Sequence, residues 1–295
     1  MSDRQLRLSF GRHEEGDGEM CVMEAVAQAS GDGWTDRPAS VSPVISALLR
    51  SWNDGIEERD RQILTVLVPL VAGTAASPEL ELLRSLMAVD WHCRVFTAAW
   101  LQAAGLSAEA DALEATVLAG RRGFEPLVRA LQTARSAAAH RRSGLLEEAR
   151  ECVDRAAGRV QSREAARTWA LAWDAWLASN IASSRVAAVA SASASAWDSE
   201  HFTRGSDGHH TIDHDALGLA RSSARDAAWV VACRAAWNVT WAFDPGSAEQ
   251  NPSSWEALSG AAADAATSAV RPTVEAIQPS FLRLMARLAT MQPSA

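Results

Sequence analysis

The sequence contains no lysine and no tyrosine, and all 28 of its basic residues are therefore arginine. Without lysine there is no Walker-type phosphate loop and no Schiff-base chemistry, and without tyrosine there is no tyrosine acid or base. The HExxH, GxSxG and GxGxxG patterns of common enzyme families are absent as well. Lysine and tyrosine codons are rich in A and T, so their joint absence indicates a GC-rich genome.

Cysteine is scarce, and apolar runs are short. The four cysteines lie far apart and form no CxxC pair, which is typical of reduced thiols in a cytoplasmic protein. The first residues lack the apolar stretch of a secretory signal, and the longest apolar run, 63–72, is too short to span a bilayer. We therefore expect a cytoplasmic protein with no membrane partner.

A concentrated basic surface is also missing from the sequence. The formal net charge is −8, and the arginines are scattered along the chain. Because phosphate backbones bind to clustered positive charge, nucleic acid is not expected as a partner.

Alanine and tryptophan are abundant: 60 residues are alanine and 12 are tryptophan. Alanine is the best helix former and a poor strand former. The clearest pattern is a row of residues at steps of four beside a parallel row of alanines: Trp229, Cys233, Trp237 and Trp241, then Ala224, Ala228, Ala232 and Ala236. Small alanine faces let helices approach closely, while tryptophans fill the gaps. We predict an all-α fold, a multi-helix bundle with long Ala/Trp-rich antiparallel helices. The tryptophans form its core, or, as the alternative, some line a cavity for a small apolar ligand.

Turn and capping residues divide the chain into three predicted parts. Residues 1–19 are polar and are predicted to form a loose N-terminal arm, 20–122 a compact helical domain, and 123–295 a long Ala/Trp-rich helical bundle with a polar His-rich loop at 198–215. Gly31 is predicted to end the first helix, and Ser42 with Pro43 to begin the second. Further helices are predicted at 57–72, from Ser77 and Pro78 to Gly105, at 126–157 with a break near Gly144, at 254–270 and at 272–291.

The His-rich loop is the first candidate site. It holds His201, His209, His210 and His214 among aspartate and glutamate residues. Because His210 and His214 are four residues apart, they would share a face on a helix, as a pair of metal ligands does. The cofactor hypothesis is therefore a divalent metal at these histidines. One alternative is a solvated loop whose Asp213 caps the next helix, and another is a histidine that acts as a general base.

The second candidate lies near the N-terminus, in a group of residues that are close in sequence: His13, Glu14, Glu15, Asp17, Glu19, Cys21 and Glu24. Cys21 is expected in the first turn of a helix, whose dipole favours the thiolate, whereas Glu24 on the same face opposes it. Cys21 is therefore either a small buried residue or a nucleophile or ligand.

A third group, Asp90, His92, Cys93 and Arg94, falls on one predicted helix. Asp90 and Arg94 have the i, i+4 spacing of an ordinary ion pair, which needs no catalytic explanation. His92 and Cys93 are adjacent and point to different faces, so they form no catalytic dyad by themselves.

Five stretches carry more distinctive patterns: GEMCVMEAVA at 18–27, WTDRPASVSPVISALLRSWND at 34–54, LVPLVAGT at 67–74, LMAVDWHCRVFTAAWLQAAGL at 86–106 and PTVEAIQPSFLRLM at 272–285. They resemble a family of uncharacterised Ala/Trp-rich helical proteins encoded by actinobacteria and their phages. The resemblance implies no activity, since none is assigned to that family, and the His-rich segment departs from its pattern. If the matching positions mark a site, its residues are Cys21, Glu24, Asp36, Asn53, Asp54, Asp90 and Arg94.

Every strong pattern in the sequence serves helix packing. The sequence therefore favours a cytosolic helical interaction or scaffold protein, phage-associated if the resemblance holds, that binds a protein partner or a second copy of itself. Two alternatives stay open. One is a metal-dependent enzyme that uses the histidines of 201–214 or the group of Cys21, Glu24 and Asp90. The other is a binder of a small apolar ligand.

Overall fold

The computed structural model describes residues 7–116, 124–158, 214–241 and 253–292. Throughout these ranges the fold is all-α, which confirms the predicted class; one isolated β-bridge joins Leu8 to Met20. The elements are α1 (Val22–Ser30), α2 (Pro43–Gly55), α3 (Glu58–Arg61), a 3₁₀ helix (Gln62–Leu67), α4 (Val68–Val71), α5 (Pro78–Trp91), a π-helical segment (His92–Thr97), α6 (Ala98–Ala103), α7 (Ser107–Ala115), α8 (Phe124–Gly158), α9 (His214–Trp241) and α10 (Ser253–Thr290).

The predicted start and stop signals of the first two helices are confirmed. Gly31 ends α1 in the left-handed conformation, with φ of 77°, and its N–H donates to the carbonyl oxygens of Ala27 and Gln28. Ser42 caps α2, because its hydroxyl accepts a hydrogen bond from the N–H of Ile45 at 3.4 Å, and proline follows it in the first turn.

The helix predicted at 57–72 is instead three short pieces: α3, the 3₁₀ helix and α4. Pro69 has no N–H to donate, and its ring would clash with the preceding turn of a continuous α-helix. In the 3₁₀ helix, which has three residues per turn, residues i and i+3 lie above one another. Leu64 and Leu67 therefore share the buried side, while Ile63 and Val66 share the exposed side.

The two helices predicted for the C-terminal region are wrong, because α10 is one helix that contains Pro272 and Pro279. Each proline removes a backbone hydrogen bond. Packing of the helix onto α2, α4 and α5 offsets this loss, since Phe281 is buried and Arg271 donates to Glu57, the residue before α3, at 2.7 Å. Likewise, α8 runs through its predicted break without interruption.

The long helix α9 lies against α8, α10, α6 and the π-helical segment. Its alanine stripe is fully buried at Ala216, Ala220, Ala224, Ala227, Ala228, Ala232 and Ala236. Fully buried alanines of α8 (Ala134, Ala138) and α10 (Ala262, Ala266) add to the same core. This confirms that the alanine pattern is a packing surface, since small side chains permit close helix approach.

One hydrophobic core cluster contains described residues from Leu8 near the N-terminus to Leu288 of α10, and it includes residues of both predicted helical domains. The π-helical segment helps to join them. The hydroxyl of Thr97 donates to the carbonyl oxygen of His92 at 3.0 Å and to that of Ala220 on α9 at 3.3 Å. Among the helices in the described ranges, none is both long and apolar enough to cross a bilayer.

Candidate functional site

The N-terminal candidate site is built around the carboxylate of Glu24, which is fully buried. One oxygen accepts a hydrogen bond from the N–H of His13 at 2.7 Å. The other accepts from the N–H of Cys21 at 2.7 Å and lies 3.0 Å from Nδ1 of His13. Because a buried carboxylate needs donors in place of water, these bonds satisfy Glu24 within the chain itself.

Cys21 occupies the N-cap position of α1 rather than its first turn, and its sulfur accepts a hydrogen bond from the N–H of Glu24 at 3.4 Å. With the bond from Cys21 to the Glu24 carboxylate, this forms a reciprocal capping box. Burial raises the pKa of the Cys21 thiol to about 12, and the charge of Glu24 also raises it. The thiol is therefore protonated near neutral pH, as expected of a small buried residue rather than a nucleophile.

Two further predicted residues, Asn53 and Asp54, hold the same segment from the end of α2. The buried amide of Asn53 donates to the carbonyl oxygen of Ser9 at 2.9 Å and accepts from the N–H of Val22 at 3.3 Å. Asp54 accepts from the N–H of Gly11 at 3.0 Å. We call Glu24, Asn53 and Asp54 the N-terminal anchor, since all three bind backbone groups of residues 9–13.

Further contacts hold the described part of the predicted arm, residues 7–19, against the rest of the chain. Leu8 is fully buried, and the side chain of Gln62 donates to its carbonyl oxygen at 2.8 Å and accepts from its N–H at 2.9 Å. Trp34 donates to the carbonyl oxygen of His13 at 2.7 Å. Sequence reasoning missed Gln62 and Trp34, because nothing in their local sequence shows that they contact residues more than 20 positions away.

The other predicted residues lie apart from the anchor. Asp90 and Arg94 form a half-buried two-bond ion pair within one helical stretch, with both distances 2.6 Å. Asp36 lies between α1 and α2, and its backbone carbonyl accepts from Arg50 at 3.1 Å. Across the described ranges, no hydrogen bond or ion pair links these residues to the anchor. The residues predicted from the sequence therefore fall into the anchor with Cys21, the separate ion pair of Asp90 and Arg94, and the isolated Asp36.

The predicted metal ligands His201, His209 and His210 lie outside the described residues. His214 is the first residue of α9. Within the described part of the chain, no three His, Cys, Asp or Glu side chains are grouped so that they could hold a metal ion, and Cys21, Glu24 and Asp90 form no such group. The histidine metal site stays a prediction.

A buried ionic network around Arg84 was not found from the sequence. Arg84 is 2% exposed, and it donates to the carbonyl oxygens of Leu288 at 2.9 Å and Thr74 at 2.6 Å. It also donates to Glu81 at 2.6 Å, and Glu81 accepts from the hydroxyl of Ser42 at 2.5 Å. The network therefore joins α2, α5 and α10. The i, i+3 spacing of Glu81 and Arg84 is the one local signal, and it does not show that the pair is buried.

An aromatic cluster is a second feature of the core. Its members are Trp52, Trp91, His92, Phe96, Trp100 and Phe281. Trp52 stacks on Phe281 with ring centroids 4.3 Å apart. Trp52 and Trp100 are buried here, and Trp229 is buried on α9, which confirms the core assignment for these three tryptophans.

His92 is the titratable member of the aromatic cluster. It is 1% exposed and stacks on Phe96 with ring centroids 4.9 Å apart, and its Nε2 has no hydrogen-bond partner among the described residues. Burial, together with the smaller effect of the nearby charge of Arg221, lowers the pKa of His92 to about 3. The imidazole is therefore neutral in the folded protein at physiological pH.

Acidification should destabilise the protein through His92. In the unfolded chain the imidazole binds a proton below its ordinary pKa of about 6.5, whereas in the folded chain it does so only below about 3. Stability is therefore lost as the pH falls from about 6.5 towards 3. Between pH 7 and pH 5 this residue should remove about 2 kcal/mol from the free energy of unfolding.

Urea unfolding at both pH values measures the loss. His92→Phe should reduce the loss by about that amount, while His140→Gln, at an exposed position of α8, should not. Equal losses in the wild type and His92→Phe would contradict the assignment.

Comparison of the chain with protein-family models, curated proteins and solved structures finds no match.

Proposed function

We propose that the protein is a helical interaction protein that associates with a second copy of itself. The observation that supports this proposal is the exposed side of the 3₁₀ helix, where Ile63 is 42% exposed and Val66 is 61% exposed. We call these two residues the apolar strip. Contiguous exposed apolar side chains are typical of protein interaction sites.

A third exposed apolar residue lies near the apolar strip. Phe10 is 62% exposed, and the backbone of Leu8, two residues before it, is bound on both sides by the side chain of Gln62, the neighbour of Ile63. The N-terminal anchor also fixes the backbone on either side of Phe10. Phe10 is thus presented by an ordered backbone, which lowers the entropy lost on binding.

The charges around the apolar strip suit a second copy of the same chain. Arg7 forms an ion pair with Glu58, and Arg59 forms one with Glu275, so both signs are present next to the strip. A mixed rim can pair with itself across a two-fold axis, despite the net charge of −8. The apolar strip is small, so it supports a weak, concentration-dependent dimer rather than an obligate one.

A cytoplasmic location goes with this proposal. The described cysteines Cys21, Cys93 and Cys233 are buried thiols rather than disulfides. Reduced thiols support a reducing compartment.

Self-association should depend on the apolar strip. Light scattering and sedimentation of the purified protein should give a mass that rises above 31.5 kDa with concentration. The double variant Ile63→Ser/Val66→Ser should weaken this association at least about tenfold, since it removes apolar surface from the contact. The matched control is Leu83→Ser, which changes a 41% exposed apolar residue on α5 and should associate like the wild type. A wild-type protein that stays monomeric at every concentration would overturn the proposal, and so would an equal effect of Leu83→Ser.

A further inference from the structure

A surface cavity lies where α9 passes between the end of α6 and α8. Its volume is about 350 Å³, and its polar lining consists of Arg141 of α8 together with Arg234 and Asn238 of α9. Val230 and Val231 of α9 form its apolar wall. This volume is at the lower end of the range for small-molecule sites.

The polar residues of α9 in the cavity belong to one face of the helix. Asp226, Val230, Arg234 and Asn238 follow one another at steps of four and therefore lie in one row. The acidic end of this row is already paired, because Arg142 of α8 donates to Asp226 at 2.8 Å. Arg142 also lies over the ring of Trp229, 5.0 Å from its centroid.

The two arginines of the cavity, unlike Arg142, form no ion pair with a described carboxylate. Within the described part of the chain, neither Arg141 nor Arg234 lies within 4.0 Å of a carboxylate oxygen. Two positive charges therefore line one small cavity on a protein whose net charge is −8.

The carboxyl end of α6 also borders the cavity and would repel an anion. Its helix dipole corresponds to roughly half a negative charge. Three carbonyl oxygens of this end, those of Trp100, Leu101 and Gln102, already accept hydrogen bonds from the N–H groups of the following turn. The two guanidinium charges therefore exceed the opposing dipole.

We propose that this cavity binds a small organic anion. The carboxylate or phosphate group of the ligand binds to the guanidinium groups of Arg141 and Arg234, which suit planar, two-bond recognition of such groups. The amide of Asn238 adds a neutral donor, and the apolar part of the ligand packs on Val230 and Val231. The ligand is amphipathic and small enough for a cavity of about 350 Å³. This inference is independent of self-association, since none of these residues belongs to the apolar strip.

Isothermal titration calorimetry at low ionic strength tests the site with four probes: phenyl phosphate, benzoate, inorganic phosphate and benzyl alcohol. We expect phenyl phosphate or benzoate to bind, and the comparison of the two identifies the preferred anionic group. Inorganic phosphate should bind at least about tenfold more weakly than phenyl phosphate, because it lacks the apolar part. Benzyl alcohol, which lacks the charge, should also bind at least about tenfold more weakly.

Matched variants assign the binding to the cavity. Arg234→Gln and Arg141→Gln should each weaken binding of the better organic anion at least about tenfold. Arg225→Gln, which changes an exposed arginine of α9 outside the cavity, should leave it unchanged. All three positions are exposed, so the variants should fold, and circular dichroism checks this. The proposal is overturned if neither organic anion binds at a concentration of about 10 mM. It is also overturned if benzyl alcohol or inorganic phosphate binds as well as the organic anions. Finally, an effect of Arg225→Gln equal to that of Arg234→Gln would overturn it.

Discussion

Replacing Arg84 with methionine should lower the free energy of unfolding by about 3–5 kcal/mol. Arg84 is 2% exposed and is the donor that joins α5, the segment between α4 and α5 at Thr74, and the end of α10 at Leu288. Methionine fills most of the same space but donates no hydrogen bond. The carbonyl oxygens of Thr74 and Leu288 and one oxygen of Glu81 would then lose their donor in a site that water does not reach freely.

Urea unfolding followed by circular dichroism measures this effect, and a second ion pair provides its control. Arg94→Ala removes the partner of Asp90 from a pair of the same chemistry whose side chains are 31% and 26% exposed. Because solvent screens that pair, its loss should cost less than about 1 kcal/mol. The loss in the free energy of unfolding for Arg84→Lys should lie between the losses for Arg84→Met and Arg94→Ala. An ammonium group keeps the positive charge but cannot donate to three acceptors with the planar geometry of a guanidinium. Similar losses for Arg84→Met and Arg94→Ala would show that the Arg84 network does not hold the helices together.

The sequence was informative wherever the structure depends on local signals. Alanine at steps of four predicts the buried face of α9, because helical period alone decides which residues share a face. Gly31, Ser42 and Pro43 predict helix ends, because capping bonds form between residues three to five positions apart. These signals fix the all-α class.

The errors occur where contacts between distant segments override local preferences. The sequence around Pro272 predicts a helix boundary, yet α10 continues because the helix packs on segments more than 200 residues earlier in the chain. In 57–72 the apolar run is too uniform to show which residues are buried. The change to three residues per turn leaves Ile63 and Val66 exposed.

The same distinction explains what could be predicted of the candidate sites. Cys21 and Glu24 are three residues apart, and that spacing correctly indicates a local interaction. The partners of Glu24 in the segment before α1, and the contribution of Asn53 from α2, depend on tertiary structure. The cavity residues Arg141 and Arg234 lie on helices far apart in sequence, and no pattern connects them.

Replacing Glu24 with alanine should release the N-terminal segment and lower the free energy of unfolding by about 2–4 kcal/mol. The change removes the acceptor for the N–H groups of His13 and Cys21, and a buried donor without an acceptor costs about 1–3 kcal/mol. It also removes half of the capping box of α1. Because Leu8 depends on the ordered segment for its burial, the effect should extend into the core.

Limited trypsin digestion separates local release from global unfolding. Cleavage after Arg12, next to His13, should become faster in Glu24→Ala at a urea concentration where the remaining helices are still folded, because the N–H and the imidazole of His13 both lose their partner on Glu24. Glu19→Gln is the matched control, since Glu19 lies 3.6 Å from Nε2 of the same histidine but is 66% exposed. It should change neither the cleavage rate nor the stability by a measurable amount. If Glu24→Ala kept the wild-type stability and protease resistance, Glu24 would not be the anchor of the segment, and its burial would need another explanation.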